Sequence, residues 1–527
     1  MSTCRMKMLK WGLAALSAGL CWYCGSDGPD VSSDVTAPPD TVSTPDTGRE
    51  DTSATPGDTS PDLAPLDTPP PLEDTAPAPQ DTATDLEPPP FPWGLPPTEE
   101  LETPHGYQAL RTIIHLHSLY SHDACDNEPV FEDGTFNEAC LDDLREALCT
   151  TRVDIAMMSE HYSYMADTPD FNELFLHREG DRWILENDRR SANAIPCDNG
   201  HEALLMPGLE GSSGRVSPIG LVGHPAGDTP ETLRAAYRDS SPEGIALMRA
   251  QEAVIAAIHV ESQPREWLLE TSLDALEIGN LHVLIAPDYR DELGLDLGLA
   301  AVAFVEYFTQ PDRRPPADLV FLEFHEHLPL YRERWDEILG ERMIAGFAGS
   351  DAHRNVFPEP MGDGERADSY RRMFKWYANH LLVPEKTPAA AREAFKTGRL
   401  YMVFEVLGSP VGFDFHAARG EDMALMGEVI EAQGDYEGVH LRATVPQARI
   451  GDAIFPVSAD LRLYRVTEEG TTLVAQSDGP LDVQAPGPGR YRLEIDISAD
   501  HLAPWLTTKP SLLRSYPWIY GNPIEVR

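Results

Sequence analysis

Between residues 107 and 355 the chain alternates short β-prone runs with segments of helical period. The apolar runs fall at residues 111–117, 154–158, 203–206, 219–222, 254–258, 273–278 and 344–348. Alternation of this kind predicts parallel strands joined by helical crossovers, and seven such runs suit a barrel. After a helical stretch over 388–396 and a turn at Gly398, the pattern changes to strand alternation broken by Gly, Pro and Asp, at 438–445, 459–466, 471–476 and 490–495. That second pattern predicts a β-sandwich. The expected fold is α/β: a seven-stranded (β/α) barrel over residues 105–400, then a small all-β sandwich domain over 401–527 with a structural or docking role.

Residues 1–104 carry neither period. Arg5, Lys7 and Lys10 precede an apolar run from Trp11 to Cys24, which is too short for a comfortable membrane span and suits an export signal over residues 1–24. Cys21 and Cys24 stand where a bacterial lipoprotein carries its lipidated cysteine, although Leu20 and Tyr23 before them are larger than processing favours. The expectation is an exported chain, periplasmic or at the cell surface, touching the membrane through its N-terminal anchor alone. Residues 25–104 repeat Asp-Thr, as at Asp46-Thr47, Asp58-Thr59 and Asp74-Thr75, among Pro and Ala. Such a stretch buries too little apolar surface to offset chain entropy and is expected to be a disordered acidic linker.

Charge narrows the function. The 87 Asp+Glu against 41 Lys+Arg give a net charge of -46, which disfavours nucleic acid and anionic membrane as partners and favours cations. Cys125, Cys140, Cys149 and Cys197 are an even set in a compartment that permits oxidation, so two disulfides are expected, with the pairing open and reduced, buried thiols as the alternative. There is no glycine-rich phosphate loop, dinucleotide fingerprint or Gly-x-Ser-x-Gly elbow.

Several runs end in ionisable residues, and in α/β barrels the C-terminal strand ends form the active face. The first ends in His115-Leu116-His117, two imidazoles on one side of a strand, followed by Ser118, Ser121, His122 and Asp123. Later runs end in Ser159-Glu160-His161, Gly208-Leu209-Glu210, Ile258-His259 and Gly349-Ser350-Asp351-Ala352-His353. Any one of these could be structural; together they form a mixed nitrogen and oxygen set suited to zinc, manganese or iron.

The ordered motifs His115-x-His117-Ser118-x-x-Ser121, Ser159-Glu160-His161, Gly208-x-Glu210, His259, Glu277-x-x-Asn280 and Gly349-Ser350-Asp351-x-His353 resemble the PHP (polymerase and histidinol phosphatase) superfamily over residues 107–400. The segment ending Pro517-Trp518-Ile519-Tyr520-Gly521-Asn522-Pro523 looks like the appended β-domain of a carbaryl hydrolase-like branch. The resemblance implies a distorted seven-stranded barrel holding two or three divalent transition-metal ions, zinc, manganese or iron. It places one ion on His115, His117, Glu210 and Asp351, with Glu210 bridging to a second held by His259, and a third on His122, His161 and His353. Glu210, Asp351 and His259 are then the residues at the reaction. Three departures stand out: Ser121-His122 replaces the usual Ser-Asp, Glu160 replaces an aspartate and suits a supporting role, and Arg215 lies where a histidine is common. His224 is a candidate for the missing ligand; otherwise Arg215 could bind an anionic oxygen of the substrate. Glu277 and Asn280 suit support of the site or loop anchoring, and His325-Glu326-His327 lies outside the matched motifs.

The expected function is an exported metal-dependent hydrolase that cleaves a phosphoester, or a related ester or carbamate, of a small molecule with metal-activated hydroxide. The alternative is a catalytically inactive surface-anchored binding protein on the same scaffold.

Overall fold

The computed structural model describes residues 91–527 apart from 286–288, 291–292, 296–306, 308–314 and 435. The expected export segment and most of the expected linker lie outside the described residues. The folded part begins upstream of the boundary expected at residue 104. Phe91, Leu95 and Leu101 are buried, the Phe91 ring meets Trp505 edge-on at 5.3 Å, and the Thr98 hydroxyl donates to Asp154 Oδ2 at 2.8 Å. The prolines around them masked these apolar anchors in the sequence pattern.

The fold is mixed α/β, with one large sheet and a C-terminal all-β region. Its centre is a parallel set: β1 (Gln108–Leu116), β2 (Ile155–Met157), β3 (Glu202–Met206), β4 (Val254–Ala257), β5 (Ala275–Asn280) and β6 (Ala345–Ala352), in the order β3-β2-β1-β6-β5-β4. Apart from their first residues, β1 and β3 are buried along their length, as are β2, β4 and β6. This is why they read as near-continuous apolar runs instead of alternating ones. The run expected over 219–222 forms instead the short strand Ser217–Ile219, antiparallel to β4. The helix Pro388–Thr397 forms where local signals place it: Thr387 caps its start, Pro388 occupies the first turn, and Gly398 at φ 83° ends it.

The C-terminal region joins the same sheet. β7 (Tyr377–Val383) runs antiparallel to β1, then β8 (Leu400–Phe404) pairs with β7 and with the long strand β12 (Ser515–Val526). β11 (Gly489–Ser498), β9 (Ala459–Thr467) and β10 (Gly470–Ser477) follow outward in that order. Two smaller sheets, one of them built around the strand Phe415–Arg419, complete the region. A buried ion pair fastens it to β1: Arg111 Nε donates to Glu405 Oε1 at 2.9 Å, and His380 Nε2 lies 2.6 Å from the same oxygen. Cys125 bonds to Cys140 and Cys149 to Cys197. No helix among the described residues is long and apolar enough to cross a membrane.

Candidate metal centre

The C-terminal ends of β1, β4 and β6 converge with the short parallel strands Glu160–His161 and Leu209–Glu210. Three residues at these ends, His115, His259 and Asp351, have φ of 63°, 51° and 51°. Non-glycine residues adopt this left-handed backbone sparingly, and three together mark a place where side-chain direction outranks backbone comfort. The register of β6 also slips on both sides, between Ile114 and Leu116 of β1 and between Glu277 and Gly279 of β5. Such irregularities re-aim strand-end side chains.

The side chains of His115, His117, Glu210, His259 and Asp351 meet. His115 Nε2 lies 3.1 Å from Asp351 Oδ1 and 3.7 Å from Glu210 Oε2; His117 Nε2 lies 3.3 Å from Glu210 Oε2 and 3.5 Å from Asp351 Oδ1. His259 Nε2 lies 3.1 Å from Glu210 Oε1 and 3.6 Å from Asp351 Oδ2. A second group adjoins through His117, whose ring stacks on His353 at 3.7 Å. In it Asp123 Oδ1 lies 3.2 Å from His161 Nε2 and 3.5 Å from His353 Nε2, and the His122 ring is 4.9 Å from that of His161.

Outer partners fix which nitrogen of each imidazole faces inward. His115 Nδ1 donates to Glu277 Oε1 at 2.7 Å, His117 Nδ1 to Ser121 Oγ at 2.8 Å, and His259 Nδ1 to Glu261 Oε1 at 3.0 Å. His353 Nδ1 donates to the Asp351 carbonyl at 3.1 Å. Each assignment follows from the acceptor present and leaves the Nε2 lone pair directed at the centre. The inward atoms His115 Nε2, His117 Nε2, His161 Nε2, His353 Nε2, Asp123 Oδ1, Glu210 Oε2 and Asp351 Oδ1 are buried and make no hydrogen bond. Buried polar atoms are ordinarily bonded, and converging orphans of this kind suit an ion placed between them. Lone pairs of nitrogen and carboxylate oxygen are the donor set of a divalent transition ion, and the residues present fit one.

Electrostatics agree. Burial disfavours the charged forms of Glu210 and Asp351, yet the surrounding imidazoles hold both well below the usual carboxylate range. For His161 burial opposes charging, while Glu210 and Asp123 more than offset it and lift the ring to about 9. His117, buried beside His353 and His161, is pushed down. The two carboxylates are countered chiefly by the surrounding imidazoles, a role that a cation would fill by accepting the imidazole lone pairs in place of protons.

Every expected site residue except one joins these two groups. His224 does not, because its Nδ1 meets the Tyr237 hydroxyl at 2.8 Å and its Nε2 the Thr168 carbonyl at 2.9 Å. His325 and His327 are likewise engaged elsewhere, with Pro517 and with Tyr520 and Asp496. Glu160 supports the site from behind: it accepts the Ser118 backbone N–H at 3.0 Å, the Ser121 hydroxyl at 2.7 Å and the Ser118 hydroxyl. Asp123 and Glu261 were not singled out as site residues in the sequence, and neither was His282, whose Nδ1 lies 4.0 Å from Asp351 Oδ2 at the rim. Asp123 follows the Ser121-His122 pair directly, so a one-residue longer loop was the available signal.

No family model matches the chain, and no curated protein matches it. Among solved structures the chain is similar to that of a two-domain protein containing a predicted PHP-like metal-dependent phosphoesterase from Bacteroides vulgatus ATCC 8482. The identity is 12%, the TM-score 0.30, and the match covers 76% of this chain and 92% of that one.

Proposed function

We propose that the chain is an exported metal-dependent hydrolase that cleaves a phosphoester, or a related ester or carbamate, of a small molecule. The observation that carries this reading is the ring of unpartnered Nε2 and carboxylate oxygen atoms, with the imidazoles of His115, His117, His259 and His353 held from behind through Nδ1. His115, His117, Glu210, His259 and Asp351 would hold one or two divalent ions, and His122, Asp123, His161 and His353 a further one. Bound there, such ions supply Lewis acidity and bring a water's pKa toward neutrality. The protein's own groups keep the ligands in one tautomer and orientation, through Glu277, Ser121 and Glu261. Glu210 turns Oε1 toward His259 and Oε2 toward His115, His117 and His161, the placement of a carboxylate shared between neighbouring cations.

A distorted seven-stranded PHP barrel is part of the proposal. An antiparallel bridge between Gly208, just beyond β3, and Ile219 supports closure of the strand series on itself. The bond class turns on Arg215, which is half-buried five residues after Glu210, with its guanidinium 5.8 Å from the Tyr162 ring and no carboxylate partner among the described residues. In a chain of net charge -46 such a cation favours an anionic substrate oxygen, hence a phosphoester. The segment 517–523, similar to the carbaryl hydrolase-like branch, favours a carboxyl ester or carbamate instead. Export rests on the N-terminal sequence and accords with the two disulfides.

The test is elemental analysis of protein purified without added metal, with chromogenic phosphomonoester, phosphodiester, carboxyl ester and carbamate substrates. Two or three equivalents of transition metal and chelator-sensitive turnover are expected. One equivalent or less, with no turnover after loading with zinc, manganese and iron, would leave a binding protein on a hydrolase scaffold.

A further inference from the structure

We propose that His105, Asp414 and His416 form a separate site for a divalent ion of the zinc class, beyond the hydrolytic centre. His105 lies in the segment entering β1, and Asp414 and His416 lie at the start of the strand Phe415–Arg419. His105 Nε2 is 3.1 Å from Asp414 Oδ1, and His416 Nδ1 is 2.9 Å from Asp414 Oδ2. The two rings stand edge to face at 4.9 Å, and one ligand atom from each of the three residues lies within 4.8 Å of the others. Ligand atoms around a tetrahedral zinc with bonds of about 2.0–2.1 Å sit roughly 3.3 Å apart, so the cluster needs little movement to close on an ion.

The backbone that carries the carboxylate is fixed independently of either imidazole. Asp414 N–H donates to Thr444 Oγ1 at 2.9 Å, its carbonyl accepts Thr444 N–H at 3.0 Å, and the Thr444 hydroxyl is tied to the Gly412 carbonyl at 2.8 Å. His105 is held at φ 63°, a left-handed backbone that turns it back toward the all-β region. Below the cluster a cleft is lined by Leu382, Phe413, Phe415, Leu425 and Met426. Apolar walls on one side limit solvent access to the cluster there, while His105 itself stays exposed to incoming ions. Without an ion, the aspartate accepts one N–H from each ring; with it, each ring would carry its proton on the other nitrogen and turn a lone pair to the metal. The ion would fasten positions 309 apart in the chain, joining the entry to β1 to the all-β region.

The site is tested on the full chain by zinc content at buffered free zinc, comparing the wild type with the double variant His105→Ala/His416→Ala. One equivalent fewer in the variant, with an unchanged remainder and unchanged hydrolysis, is expected; equal content overturns the proposal and leaves a hydrogen-bonded clip. A second measurement needs no variant. Diethyl pyrocarbonate labelling of His105 and His416 in the wild type, read by peptide mass, should slow roughly tenfold when free zinc is about tenfold above Kd. Equal labelling with and without zinc overturns the site whether or not the variant folds.

Discussion

Glu277 Oε1 lies 2.7 Å from His115 Nδ1, and the other oxygen of the same carboxylate accepts the His259 backbone N–H at 2.9 Å. One buried side chain on β5 thereby sets the direction of an imidazole on β1 and of the backbone carrying another after β4. Gly349 makes room for it. A Cβ there would fall 1.8 Å from Glu277 Oε1 and 3.0 Å from His115 Nδ1, both inside contact distance. Gly349→Ala should push the carboxylate off the histidine and weaken metal affinity by about 10–100-fold, as loss of an outer partner does. Competitive titration with a zinc indicator reads this directly, and wild-type affinity in the variant would show that Glu277 does not orient the ligand.

The two groups of ligands should separate under mutation. Asp351→Ala removes a carboxylate that faces His115, His117 and His259, so the metal of that group and turnover should both be lost while the all-β region keeps its near-ultraviolet circular dichroism. Asp123→Ala removes only the oxygen between His161 and His353 and should cost one equivalent of metal, leaving the rest bound. Equal metal loss in the two variants would mean that the groups bind as one unit.

Much of this centre was legible because strand geometry is local. Residues two apart on a strand share a face, which made His115 and His117 a pair, and His259 and Asp351 sit where the runs stop. Asp123 was not singled out because loop length, unlike strand period, has no fixed spacing; its carboxylate comes one residue after the expected pair. His224 showed only that a histidine lay near a strand end, and its contacts with Tyr237 and Thr168 depend on chain distant in sequence. The same limit applies to the C-terminal strands. Alternation announced them, but strand period does not name a pairing partner, so the pairing of β8 with β12 appears only in three dimensions.

The disulfide Cys125–Cys140 closes a loop directly beside Asp123, with a sequence separation of 15. Cys125 N–H donates to the His353 carbonyl at 2.9 Å and Asp126 N–H to the Arg354 carbonyl at 3.0 Å, so the bridge also anchors the segment carrying His353. Replacing both cysteines with serine should cost about 3 kcal/mol in stability, the chain-entropy figure for a loop of this length. It should also lower affinity for the ion near Asp123 more than for the ion near Asp351. A variant that loses stability but binds both ions as before would confine the bridge to a folding role.

His325 provides a pH dependence remote from the metal ligands. Its ring is buried against Phe404, with centroids 3.8 Å apart, and Nε2 donates to the Pro517 carbonyl at 2.8 Å. Burial pushes it down to about 3; the Pro517 carbonyl and Asp496 oppose the shift, and His327 and Arg514 add to it. An unfolded chain takes up this proton near pH 6.5. Between about pH 6.5 and 3 the unfolded state therefore binds a proton that the folded state refuses, so stability falls as pH drops through that window and gains nothing from this group above it. The full slope for one group is about 1.4 kcal/mol per pH unit. His325→Gln keeps an N–H donor and removes the titration. Urea unfolding at pH 8, 6 and 5 in chelator should show a shallower decline for the variant than for the wild type, whereas parallel declines would assign the acid sensitivity to other groups.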